Sequence, residues 1–423
     1  MDRRRLLQLA VLLCLLVLCS GREIKTKHTP IYNSTLARTL AEYTSAVYSA
    51  DLTQLFTWTC ERCGDLTEGF EVIELIVDVK NCLQAYVGFA SDMNAAIVVF
   101  RGTQQTSIQN WIEDLFWKQL DLDYPGMPQA KVHSGFYSAY HNTTLRNGVV
   151  NGIQKAREAY GNIPIMVTGH SMGGAMASFC ALDLLVNYRL KDVTLMTFGQ
   201  PRIGNAAFAS YFKCYLPNAI RVTNEHDIVP HLPPYYHYFP QKTYHHFPHE
   251  VWIHDVGLGN LVYPTEQICD DSGEDPNCCR SVSGNSVQDH IQYLGISMHA
   301  ESHGTCRIVT ADTILQHKMD NDGNIVLSKK PASETHHATT STWDCLLDSP
   351  RTNFSPAFYL SSQMLFIFMT IKAHSQDQSR GMDARDRPIA VDSGDAICMD
   401  ERSYEEVVMA TRKERKREAL LFT

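Results

Sequence analysis

Residues 163–174 read IPIMVTGHSMGG. The stretch is an apolar run, Ile163–Thr168, that breaks at Gly169-His170-Ser171-Met172-Gly173 and passes into a small-residue segment, Gly173–Asn187. A strand, a tight turn and a helix are expected in that order. The turn matches G-x-S-x-G, in which a serine sits on a sharp strand-to-helix elbow with its hydroxyl presented at the end of the sheet. The flanking glycines have a steric purpose: side chains two residues before and after the serine would meet neighbouring backbone. Gly174 and Ala175 let the helix pack close to the sheet.

Working outward, the same alternation continues. Leu36, Leu40, Tyr43 and Val47 repeat at helical spacing, so residues 35–49 are expected to be helical. Glu71–Val79, Cys82–Ala90 and Ala95–Phe100 read as strands, and residues 144–160 as a helix carrying Val149, Ile153, Ala156 and Tyr160 on one face. Val193–Phe198 and Ala219–Thr223 are further strands, separated by a helix over Ala206–Leu216. Strand alternating with helix predicts an α/β fold, a mostly parallel sheet covered on both faces. Tyr236–His254, rich in His, Tyr, Phe and Pro, reads as an aromatic loop. Beyond about Val309 the periodicity stops. Residues 311–423 read as a polar, loosely ordered tail interrupted by the short apolar run Tyr359–Ile371.

The 423 residues are 44% apolar and 20% charged, with a formal net charge of −9. This is a globular composition, and it gives no electrostatic footing for a nucleic-acid partner. Residues 1–22 have the form of a secretory signal peptide: Arg3, Arg4 and Arg5, then an apolar run Leu6–Leu18, then small residues. With Cys14 and Cys19 removed, 13 − 2 = 11 cysteines remain, so at least one thiol has no intramolecular partner. Cys60, Cys63 and Cys82, and later Cys269, Cys278, Cys279 and Cys306, are expected to staple loops of an exported chain. Asn33 and Asn142 stand in glycosylation sequons. No metal site is expected, because Cys60-x-x-Cys63 has no second ligand pair at suitable spacing.

A serine hydroxyl needs a base, and the base an orienting carboxylate. Asp227, directly after the strand ending near Thr223, is the first choice of acid. Glu225 and Asp255 are rivals. Among 18 histidines, pattern alone ranks His290 only slightly above His299 and His303. An oxyanion needs two donors. The Met172 amide is one, and Thr103, in the turn Phe100-Arg101-Gly102-Thr103, offers the other. Ile108, Trp111, Ile112, Leu115 and Phe116 then fall on one face of a short amphipathic helix, which reads as a lid over an apolar site.

Together, Phe100–Thr103, Ser107–Trp117, Val132–Tyr137, Gly169–Gly174, Phe198–Asn205, Asn224–Pro234 and Asp289–Gly295 resemble the class 3 (fungal-type) triacylglycerol lipase family, especially its plant branch. The resemblance implies an α/β-hydrolase fold over residues 23–310, with Ser171 as nucleophile, Asp227 as acid and His290 as base. It places the oxyanion hole at Thr103 and Met172 and the lid near 106–116. It implies no cofactor, a lipid ester substrate met at a lipid–water interface, and transient contact with a membrane or lipid-droplet surface. Relatives of the same shape also act on phospholipids, galactolipids or feruloyl esters. A non-catalytic signalling or binding module is the alternative from another class. The expected location is the secretory pathway, extracellular or endomembrane.

Overall fold

In Ala95–Phe100, Ala96, Val98 and Phe100 join one apolar cluster and Ala95, Ile97 and Val99 another. Both clusters are buried because successive side chains of a strand point to opposite faces. The strand is therefore covered on both sides, as expected for the interior of an α/β sheet. The computed structural model describes residues 32–299 apart from 104, 114, 116–117, 128, 236–242 and 259–260, together with the segments 305–306, 315–319, 324–329 and 345–346. The expected signal peptide and most of residues 311–423 lie outside the described residues.

In chain order the elements begin with helices α1 (Ser34–Ala46) and α2 (Leu52–Thr57) and strands β1 (Glu71–Asp78), β2 (Leu83–Ala90) and β3 (Ala95–Phe100). Helix α3 (Gln105–Glu113), the short strands β4 (Gln119–Asp121) and β5 (Lys131–His133), and helices α4 (Ser134–His141) and α5 (Thr144–Tyr160) follow. Then come β6 (Ile165–His170), α6 (Met172–Val186), β7 (Val193–Phe198), α7 (Ala206–Tyr215) and β8 (Ile220–Asn224). The last long elements are β9 (Glu250–Leu258) and β10 (Leu261–Ile268). Beyond them are β11 (Gln292–Tyr293), β12 (Ile296–Ser297), β13 (Thr305–Cys306), β14 (Leu315–Met319) and β15 (Ile325–Lys329).

Ten strands form one sheet in the order β10-β9-β8-β7-β6-β3-β2-β1-β15-β14. Strands β3, β6, β7, β8 and β9 run parallel as a central block. Antiparallel strands extend it on both sides. Helices α4 to α7 pack on one face and α1 on the other. Helix α6 is buried along almost its whole length, as expected of a helix that is apolar all round.

The sheet also differs from expectation in two places. The stretch read as an aromatic loop ends in β9, and β9 with β10 makes an eight-pair hairpin. Residues 315–329, expected to belong to the tail, contribute β14 and β15, so the sheet continues past the boundary expected at 310. Strand β15 pairs with β1 from Glu74–Ser328 to Val77–Ile325. Ile325 and Leu327 are buried there, and Ser328 Oγ donates to Glu74 Oε2 at 3.0 Å. Lys155 Nζ, 2.6 Å from the same oxygen, completes the junction.

Candidate active site

Strand β6 ends at His170, and Ser171 turns the chain into α6 with φ 60° and ψ −130°. A positive φ at a non-glycine residue costs on the order of 1–3 kcal/mol and persists only where its surroundings enforce it. Here they do. A Cβ at Gly169 would collide with the Gly173 carbonyl, and one at Gly173 with the Phe100 carbonyl at the end of β3. The Ser171 amide is tied to the Phe198 carbonyl of β7 at 2.9 Å. The serine is fully buried and its Oγ has no hydrogen-bond partner among the described residues.

Asp227 follows β8 and is 1% exposed. Its Oδ1 accepts the Val229 amide at 2.8 Å. Its Oδ2 accepts from His290 Nδ1 at 2.8 Å and also from the Tyr293 hydroxyl. Burial and the Asp227 charge push the Tyr293 hydroxyl well above its ordinary range, so it remains a donor. His290 is fully buried, and its Nε2 has no partner among the described residues. A Cβ at Gly199, which follows β7, would lie 2.8 Å from Asp227 Oδ2 and 3.0 Å from His290 Nδ1. Asp227 and His290 therefore sit over the end of β7, beside the strand that leads to Ser171.

His290 lies on a loop, and several ties deliver it. The Asn224 side chain donates to the carbonyls of Asp289 and Gln292, both at 3.0 Å. The His226 amide donates to Asp289 Oδ2, and the amides of Asn285 and Ser286 donate to the His226 carbonyl. A Cys269–Cys278 disulfide closes the loop between β10 and this segment. The rivals are engaged elsewhere: Glu225 accepts the Asp255 amide, and His299 Nδ1 pairs with Ser297 Oγ at 2.9 Å. His303 lies outside the described residues.

The loop after β3 lies against the elbow. A Cβ at Gly102 would be 2.9 Å from that of Ser171. Arg101 fixes this loop through Gln84 Oε1 at 3.0 Å and the Cys82 carbonyl at 2.6 Å. Thr103 Oγ1 is buried and has no partner among the described residues. Met172 opens α6, where first-turn amides have no partner within the helix and the helix dipole favours negative charge. In α3, Ile108 is 2% exposed and Trp111 and Ile112 are half-buried, as is Leu115 just beyond the helix. The Trp111 ring lies 6.0 Å from that of Phe136. The apolar side of this helix is turned inward. Phe116, the fifth expected lid residue, lies outside the described residues.

Sequence reading missed Tyr48, Tyr293 and the part played by His170. His170 Nε2 lies 2.7 Å from the His290 carbonyl, which can only accept, so Nε2 carries the proton. Burial, reinforced by His290, holds the His170 imidazole well below its ordinary pKa and thus neutral, leaving Nδ1 as acceptor. The Tyr48 hydroxyl donates to it at 2.7 Å and accepts the Gly102 amide at 3.1 Å. A single chain of hydrogen bonds thus joins the loop after β3 to the backbone of His290. These partners are more than a hundred residues apart, except at Tyr48–Gly102, and no local spacing announces them.

Cys60–Cys63 is a disulfide, so the C-x-x-C pair is a staple. Cys180 and Cys279 are buried free thiols. Among the described residues, the group Cys269, Asp275 and Cys278 has ligand-like spacing, but its two sulfurs are joined to each other. In the histidine-rich stretch, His246 Nε2 donates to the Pro230 carbonyl and His254 stacks on Trp252.

The sequence model of the class 3 lipases matches residues 97–237, which contain the elbow, the loop after β3 and Asp227. A lipase of Rhizomucor miehei is 36% identical over 245 residues, 57% of this chain and 63% of its own length. A secreted mono- and diacylglycerol lipase of Fusarium solani is 29% identical over 244 residues, 56% of this chain and 65% of its own length. The chain thus spans somewhat under two thirds of these curated relatives. The solved structure of the R. miehei triacylglyceride lipase is 32% identical, with a TM-score of 0.54 over 63% of this chain and 97% of that one. These relatives are fungal, and the plant branch finds no support among them. The fold is that of the α/β-hydrolases, and the chain belongs to the class 3 lipase family.

Proposed function

We propose that this protein is a serine hydrolase of carboxylic esters, acting on acylglycerols. The observation that carries this reading is the 2.8 Å contact between buried Asp227 and His290 beside a buried serine on a strained elbow. His290 Nε2 removes the Ser171 proton, and the oxygen attacks the ester carbonyl. The Met172 amide and Thr103 hold the charge that develops on the carbonyl oxygen. A donor of this kind is worth roughly 3–4 kcal/mol of barrier. His290 then gives its proton to the leaving alcohol. A water molecule, activated in the same way, releases the fatty acid. Asp227 fixes the imidazole tautomer and stabilises its charge.

Acylglycerols are favoured over phospholipids, galactolipids and feruloyl esters by the names of the relatives. The apolar face of α3, with Ile108, Trp111 and Ile112, and Leu115 just beyond it suit a lid that opens at a lipid surface. Disulfides at Cys60–Cys63 and Cys269–Cys278 support an exported protein. Hydrolysis rates of the full chain on triolein, phosphatidylcholine, a galactolipid and a feruloyl ester test the reading. Triolein is expected to be fastest, with a jump in rate once a short-chain triglyceride exceeds its solubility. Absence of turnover on all four would favour a binding module. A hyperbola that passes smoothly through the solubility limit would make α3 part of the core.

A further inference from the structure

Large apolar side chains exposed among the described residues concentrate on one element. The hairpin β9–β10 carries Val256 at 46%, Leu261 at 55%, Val262 at 61% and Tyr263 at 52% exposure. Strand β9 last pairs with β8 at Asn224–Ile253, yet it continues to Leu258. At about 3.3 Å per residue, its end overhangs the sheet by roughly 16 Å. Because β9 is parallel to β3, β6, β7 and β8, the overhang leaves the same edge of the sheet from which Ser171, Thr103 and Asp227 emerge. Along that edge α3 follows β3 and the hairpin follows β9, four strands apart, or about 19 Å, with Ser171 on a strand between them.

We infer that the overhanging part of the β9–β10 hairpin, with Val256, Leu261, Val262 and Tyr263, is a standing anchor that inserts into the surface of a neutral or zwitterionic lipid phase. This rests on the reading of the chain as an ester hydrolase and names the surface on which it works. Three observations select lipid as the occupant. The apolar end stands at the edge where the substrate of the proposed reaction must arrive. Residues 250–268 contain Glu250, Asp255 and Glu266 but no Lys or Arg, so attraction to anionic headgroups plays no part. Strand β10 is an edge strand with Pro264 at its centre, and a proline there blocks continuous pairing with a strand of a second copy. Tyr263, apolar with a polar tip, suits the headgroup boundary.

The test is flotation of the full chain with phosphatidylcholine-coated triolein droplets, in a Ser171→Ala background so that binding is read without turnover. Combined Leu261→Ser, Val262→Ser and Tyr263→Ser is expected to lower the partition coefficient ~10- to 100-fold. With Ser171 intact, the triple variant should keep its rate on dissolved p-nitrophenyl butyrate and lose rate on droplets in parallel with binding. Replacing a fifth of the phosphatidylcholine with phosphatidylserine should not strengthen binding. Val262→Trp, a change at an exposed site, should show blue-shifted emission on droplets and quenching by brominated lipid. Unchanged flotation of the triple variant, or indole emission in Val262→Trp that ignores the droplets, overturns the inference. So does conversion of a dimer to a monomer with flotation retained, which would assign the surface to a second copy. If the parent hydrolyses no ester, the catalytic reading fails, while flotation still decides whether the hairpin anchors.

Discussion

The two ends of the Ser171–His290–Asp227 cluster are built in opposite ways. At the carboxylate end, both Asp227 oxygens are occupied, one by the Val229 amide and the other by His290 and Tyr293. At the serine end, Ser171 Oγ, His290 Nε2 and Thr103 Oγ1 are buried with no partner among the described residues. A buried polar atom without a protein partner costs about 1–3 kcal/mol unless solvent or a ligand satisfies it, so this end depends on what enters the site. The contrast suits a site whose acid end is finished before substrate arrives and whose serine end is completed by the substrate. Proteins tolerate local instability of this kind where it serves a function.

The largest expected effect is at the serine. Ser171→Ala should lower kcat on a soluble ester by about 10⁶-fold, since losing the nucleophile removes the whole covalent route. It should not lower Tm, because an unsatisfied hydroxyl leaves with it. A variant that kept its rate would break the comparison at its root. Asp227→Asn should cost about 10⁴-fold in kcat, because the amide no longer enforces the tautomer that leaves Nε2 free to accept. It should also lower Tm, since Asp227 satisfies three donors.

Thr103→Val should lower kcat by about 10²-fold with little change in KM, as expected of a donor used only in the transition state. Its Tm should stay level or rise, the opposite of Asp227→Asn, and a fall would place Thr103 with the finished end. Tyr293→Phe should reduce kcat tenfold or less. Removing one donor leaves His290 as the sole side-chain partner of Asp227 Oδ2 among the described residues, so kcat should fall while KM stays level. An unchanged kcat would make Tyr293 a packing residue.

The smallest effect concerns two buried histidines, His170 in the link between the two ends and His246 against the Pro230 carbonyl. Burial keeps His170 and His246 well below their ordinary pKa in the fold. The unfolded chain therefore takes up the proton first as pH falls through about 6.5, and stability declines below that point. Each such histidine adds a slope of about 1.4 kcal/mol per pH unit. Thermal melts between pH 7.5 and 5 should show Tm decreasing toward the acid end. A Tm that stayed level would mean that both rings accept protons without loss of their hydrogen bonds.

Much of the fold was legible because its signals are local. Glycines around Ser171 report a turn that admits nothing larger, and the unbroken apolar run Ala95–Phe100 reports a strand covered on both faces. Asp227 was legible from its place after a strand. His290 was not, because Asn224, His226 and the Cys269–Cys278 staple bring it in from a loop, and only resemblance to a family singled it out. The hairpin β9–β10 was obscured by the histidines and aromatics before it. Strands β14 and β15 were missed because their inward residues, Ile325 and Leu327, make sense only against Leu75 and Val77 of β1. Tyr48 and Tyr293 act through partners set by the tertiary fold.

Labelling of the full chain with a fluorophosphonate, followed by peptide mapping, tests the central claim most directly. A single covalent adduct on Ser171 is expected, absent in Ser171→Ala and formed far more slowly in Asp227→Asn. No adduct, an adduct on another residue, or an unchanged rate in Asp227→Asn would contradict a serine activated by the imidazole of His290.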